Sequence, residues 1–121
     1  MSYPWRPLVL CLDDDPIALR MRTALLESAG YTVLPATEPE EALNIFKDRP
    51  VNMVVSDHVL KSAKGTEVAG EMKKVKPAVP IVLLSGSVPD SLSNVDCFIL
   101  KSEPSTVILG MISDLLQRSA A

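Results

Sequence analysis

Cysteine is nearly absent from this chain: of 121 residues, only Cys11 and Cys97 carry a thiol. Both sit in apolar, strand-like stretches, where a free thiol behaves as a small hydrophobe, so neither a disulfide framework nor a thiolate metal site is expected. Histidine is scarcer still, with His58 alone, and that single imidazole reads as an exposed loop residue rather than a metal ligand. Positive charge is also in deficit. Twelve Lys and Arg stand against fifteen Asp and Glu, a net charge of −3. The one basic cluster, Lys73, Lys74 and Lys76, reads as a solvated helix face ending before Pro77, so no nucleic-acid surface is expected. No apolar run is long enough to span a bilayer, and the segment Met1-Ser2-Tyr3-Pro4-Trp5-Arg6 lacks the apolar core of a signal peptide. The expected location is cytoplasmic, with no membrane partner. Repeats, linkers and low-complexity segments are missing as well, so residues 1–121 read as a single domain able to bury its own core.

What the chain does have is a series of short apolar runs, at residues 8–12, 32–35, 51–56, 81–84 and 97–100, most of them unbroken. Such runs mark strands buried on both faces, as in a parallel sheet. Helical patterns lie between them. Asp15 and Pro16 supply an acidic N-cap and a first-turn proline for a helix that runs to Gly30, a natural residue just past a helix end. Residues 40–48 place Ala42, Ile45 and Phe46 on one side, and residues 65–74 carry Val68, Ala69 and Met72. The last helix starts near Pro104 and puts Ile108, Met111, Ile112 and Leu115 at i, i+3, i+4 and i+7. Leu109 and Leu116 broaden that stripe into a surface suited to a partner or a homodimer.

Strand and helix therefore alternate, which implies right-handed crossovers and helices on both sheet faces. The fold expected is α/β, a doubly wound five-stranded parallel sheet in the order 2-1-3-4-5, with Trp5 packing at its bottom edge. One connection is too short. Only residues 86–96 separate the fourth strand from the fifth, whereas a parallel crossover normally takes a dozen or more residues. The fourth helix is expected to be truncated or absent.

In such sheets ligands bind beyond the carboxyl ends of the strands, where the winding switches between the first and third strands. Asp13-Asp14-Asp15 and Asp57 fall at those two ends. Carboxylates gathered so closely repel one another unless a cation or a shared proton relieves them. Oxygen donors suit a hard ion such as Mg²⁺ or Mn²⁺, and chemistry on phosphate follows. Ser85 ends the fourth strand and Lys101 the fifth.

This conjunction, with Gly65 eight residues after Asp57, resembles the response-regulator receiver domain of two-component signalling over essentially the whole chain. The resemblance implies a flavodoxin-like, chemotaxis-regulator-like fold in which Asp57 is the phosphoacceptor. It implies Mg²⁺ held by Asp14 directly, by Asp13 mainly through water, and by Asp57 and the Val59 backbone carbonyl. Ser85 would hydrogen-bond the phosphoryl group, Lys101 would pair with one of its oxygens, and Phe98 would be the aromatic whose rotamer follows Ser85 in the switch. It implies no enzyme in the ordinary sense, but a phosphoacceptor that assists its own Mg²⁺-dependent phosphorylation and dephosphorylation. A histidine kinase or histidine phosphotransfer protein would be the donor, and a downstream protein would read the result.

Two further positions depart from the family. Leu60-Lys61 stands where most receivers carry Met-Pro, which predicts a more mobile loop. Ser102 follows Lys101 where the family usually has a proline after a cis bond. A non-proline cis bond costs about 2.5–4 kcal/mol, so a trans bond is expected, and this bears on where Lys101 sits. These departures and the short crossover support an alternative: a degenerate receiver acting as a phosphorylation-independent interaction module. An aspartate-nucleophile phosphohydrolase or a flavin-binding domain of the same topology is a third class. The chain hardly has length for a hydrolase cap, and the aspartate run would repel a flavin phosphate.

Overall fold

The apolar runs become strands because both of their faces find cover. In the computed structural model, which describes residues 6–120 and so leaves Trp5 outside the described residues, five strands form one parallel sheet. They are β1 (Leu8–Leu12), β2 (Thr32–Ala36), β3 (Met53–Asp57), β4 (Ile81–Ser85) and β5 (Cys97–Leu100), in the order β2-β1-β3-β4-β5. Four helices accompany them: α1 (Pro16–Ser28), α2 (Pro39–Asp48), α3 (Gly65–Val75) and α4 (Ser105–Ala120). Alternate strand residues point to opposite faces. Val9, Cys11, Met53, Val55, Val82 and Leu84 meet Leu19 and Leu26 of α1 and Ile112 and Leu115 of α4. Leu10, Leu12, Val54 and Ile81 meet Ala42 and Phe46 of α2 and Val68, Ala69 and Met72 of α3. Each large side chain buried this way contributes roughly 1.5–3 kcal/mol.

The ends of α1 follow its capping residues. Asp15 caps it, its carboxylate accepting the Ile17 N–H at 3.0 Å. Gly30 takes φ of 96°, a left-handed conformation that ends the helix without a Cβ clash. Among the described residues no helix is long and apolar enough to cross a membrane.

The connection from β4 to β5 contains no helix, as its length predicts. It is held by Asp96 instead, whose Oδ2 accepts from the Ile81 N–H and from Lys73 Nζ, each at 2.7 Å. Asn94 adopts φ of 68°, which asparagine tolerates better than most residues. Its amide lies over Gly70 of α3, where an added Cβ would sit 3.3 Å from Nδ2.

Two expectations are corrected here. Lys73 and Lys76 are not a solvated face. Lys73 also donates to the Val79 carbonyl at 3.0 Å, while Lys76 donates to the carbonyls of Phe46 at 2.6 Å and Arg49 at 3.0 Å and stands over the Phe46 ring. They fasten α3 to its neighbours because a long apolar stem can lie on the core while its ammonium reaches free carbonyls. Leu116 is buried and Leu109 packs partly on the core, so these two leucines offer less free apolar surface than expected, while Val107 is exposed. α4 faces the sheet with Leu116 buried and Leu109 partly so, which removes apolar area from water.

Both thiolates are disfavoured by burial. Burial pushes the Cys11 thiol up to about 12 and also raises that of Cys97, which is only half-buried. Only thiolate is nucleophilic. An alkylating reagent at about pH 8 is therefore expected to modify Cys97 slowly in the native protein and Cys11 only after denaturation. Equal native labelling of the two, read by peptide mass, would contradict this packing.

Candidate functional site

The site grows from strand register. Leu12 of β1 pairs with Ser56 of β3, so the residues that follow, Asp13 and Asp57, emerge side by side. Both are buried, and Asp14 is half-buried. One oxygen from each of the three carboxylates lies within 4.8 Å of the others. The backbone continues the ladders here, with the Asp13 N–H on the Ala36 carbonyl and the His58 N–H on that of Leu84.

Asp57 Oδ1 forms an ion pair with Lys101 Nζ at 2.9 Å and accepts from the His58 N–H at 2.9 Å. Lys101 reaches it from the residue just past β5, anchored by its own N–H on the Ser85 carbonyl at 2.9 Å. Among the described residues every peptide bond is trans, that between Lys101 and Ser102 included. The missing proline does not keep Lys101 from Asp57. Ser85 is buried at the end of β4, one residue beyond Leu84, which pairs with Asp57; its Oγ accepts the Ser87 N–H at 3.3 Å. Phe98 is half-buried in β5 opposite Leu83. Val59 exposes its side chain, and its backbone bridges to Lys64.

Three details were not expected. The loop after β3 is tied down, because the Lys61 N–H donates to Asp14 Oδ2 at 2.8 Å; a proline there would have no N–H to give. His58 is half-buried rather than exposed. Its Nδ1 is buried without a partner among the described residues, and the ring stands outside the acidic trio. The third is Arg22 of α1, whose Nη1 lies 2.7 Å from Asp13 Oδ2, while Asp13 Oδ1 takes the Asp15 N–H at 2.9 Å. Its signal was present in the sequence: Arg22 is three residues after Leu19 and four before Leu26, a charge on the buried face of α1.

The donor set fits Mg²⁺. Three carboxylates converge with oxygen donors only, and no thiolate or imidazole competes for a softer metal.

A doubly wound five-stranded sheet with acids at its switch point and a lysine just past its last strand defines the class: a flavodoxin-like α/β domain with an acidic site. The description of the response regulator receiver domain matches residues 9–100, and the chain belongs to that family. It is 31% identical over 118 residues to the transcriptional regulatory protein GlrR of Escherichia coli (strain K12), covering 93% of this chain but 27% of that protein. The chain thus spans about a quarter of the length of such relatives. Among solved structures, a CheY-like receiver domain protein from Methanospirillum hungatei JF-1 superposes with a TM-score of 0.87 at 25% identity, covering 96% of this chain and 98% of that one. The response regulator TrrA of Thermotoga maritima, in complex with Mg(2+)-BeF, gives 0.84 at 27% identity, with coverage of 90% and 98%.

Proposed function

We propose that this chain is a single receiver domain that takes a phosphoryl group on Asp57 and signals by binding a downstream protein. The observation that carries this reading is the setting of Asp57. It is a buried carboxylate with Lys101 and the His58 N–H on Oδ1 and the oxygens of Asp13 and Asp14 close by. The His58 hydrogen bond and the Lys101 ion pair both fall on Oδ1 and orient the carboxylate.

Asp57 attacks the phosphorus of a phosphohistidine on a histidine kinase or histidine phosphotransfer protein. A P–O bond to the aspartate forms, the P–N bond breaks, and the departing imidazole nitrogen recovers a proton from solvent. Phosphoryl transfer is mostly a matter of positioning and charge compensation. Lys101 supplies a cation to the transferred oxygens and the Ser85 hydroxyl a hydrogen bond. Asp13, Asp14, Asp57 and the Val59 carbonyl would hold Mg²⁺, which supplies further compensation of phosphoryl charge. Turning Ser85 toward the new dianion opens space that Phe98 fills, which converts a local charge into a change at the surface.

The test uses the purified chain with acetyl phosphate and an excess of Mg²⁺, read by intact mass. The expected result is one phosphoryl adduct that does not form when the metal is chelated beforehand and that is labile in base, as an acyl phosphate is. A folded chain that gives no adduct, and does not bind beryllofluoride, would instead be a phosphorylation-independent docking module.

A further inference from the structure

We propose that Arg22 is a resident counter-cation of the acidic site, holding Asp13 in the absence of metal and weakening the site's affinity for Mg²⁺. This rests on the reading of Asp13 and Asp14 as metal-holding residues. Asp13 is 1% exposed, and a charge buried that deeply needs a partner. Arg22 provides it from the second turn of α1 and is itself only 15% exposed. Both oxygens of Asp13 are thereby engaged, Oδ1 by the Asp15 N–H and Oδ2 by the guanidinium.

The other two carboxylates are engaged as well, Asp14 by the Lys61 N–H and Asp57 by Lys101. Three carboxylates against two cations leave a formal charge of −1 at the site (−3 + 2). Without Arg22 the charge would be −2, matched to a divalent ion. An entering Mg²⁺ must therefore either displace the guanidinium or bind beside it, and like charges in a half-buried site repel strongly. Displacement has somewhere to go. A cavity of about 590 Å³ opens between α1 and α4, lined by Arg22, Met21, Leu25, Ile108 and Lys101, and Glu103 in its wall offers a new carboxylate. Metal loading then moves a side chain between two helices that are otherwise remote from the ion.

The experiment is calorimetric titration of the full chain with MgCl₂ at neutral pH, comparing the parent with Arg22→Met and Arg22→Gln. The glutamine variant keeps a donor for Asp13 without the charge, so the test stands if the methionine variant does not fold. Expected is binding on the order of tenfold tighter in the neutral variants, with Arg22→Lys close to the parent. In the parent, the Nε–H resonance of Arg22 is expected to shift as Mg²⁺ is added. Equal or weaker binding by the folded neutral variants, or an Arg22 resonance unmoved at saturation, would overturn the proposal and leave the metal site standing. Absence of binding in every variant would remove the metal site itself, and Arg22's role with it.

Discussion

Asp57→Asn is expected to abolish the phosphoryl adduct entirely and, in metal-free buffer, to make the fold more stable by about 1–2 kcal/mol. The first half follows from losing the nucleophile. The second follows from charge. Three carboxylate oxygens lie within 4.8 Å of one another, and at an effective dielectric constant near 20 each like-charge pair at such a distance opposes folding by about 3.5 kcal/mol or more before Lys101 and Arg22 offset part of it. Against that relief stands the Lys101 ion pair. Its lysine is 38% exposed, so solvent screens the pair to at most about 1 kcal/mol. The His58 N–H keeps an acceptor in the asparagine carbonyl. Urea unfolding in the presence of a chelator measures the difference, and a variant less stable than the parent would show that repulsion in the trio is already quenched. With Mg²⁺ in excess the order should narrow or invert, because an ion that binds the folded parent more tightly stabilises it more.

Gly65→Ala is expected to destabilise the protein by about 2–4 kcal/mol and to slow adduct formation in the molecules that remain folded. A Cβ on Gly65 would lie 2.5 Å from the Asp57 backbone oxygen, 2.6 Å from Leu83 Cδ1 and 2.9 Å from His58 Cα. The leucine can rotate, but the two backbone atoms belong to the end of β3 and cannot move without moving Asp57. The Gly65 N–H also donates to the His58 carbonyl at 2.7 Å, so relief by shifting α3 would stretch that bond. Gly110→Ala is the control: nothing stands within 4 Å of its added Cβ, and an exposed helix position gains about 0.5–1 kcal/mol from alanine. Similar thermal midpoints for the two variants would sink the steric account of Gly65.

The sheet was legible in the sequence because strands buried on both faces have to be apolar at nearly every position, as Met53, Val54 and Val55 are. The order of strands followed from crossover rules, and the site from which strand ends carry acids. The missing helix before β5 was legible as simple shortage of chain. Features that depend on the direction of one side chain were not. The spacing of Arg22 from Leu19 and Leu26 marks it, unlike the exposed Arg20, as a charge on the buried face of α1, but that spacing does not say that its guanidinium reaches Asp13. Lys73 and Lys76 read as solvent-facing because charge usually is, and no local pattern reveals carbonyls waiting on Phe46, Arg49 and Val79. The anchoring of the loop after β3 by the Lys61 amide is equally a matter of a backbone donor, which residue type alone reveals only where proline removes it.

The helix-free connection also lowers the chain entropy lost in pairing the last two strands. Val82 and its partner Cys97 are 15 positions apart, against 24 for Val9 and Val33, 27 for Val54 and Ile81, and 44 for Val9 and Met53. The entropy of closing a loop rises with its length, if slowly. The β4–β5 ribbon thus becomes the most local pairing in a sheet whose other contacts span longer stretches of chain. Closing the β4–β5 pairing costs about 0.4 kcal/mol less chain entropy than closing β1 on β2, which lightens the cost of placing Lys101, the residue just past β5.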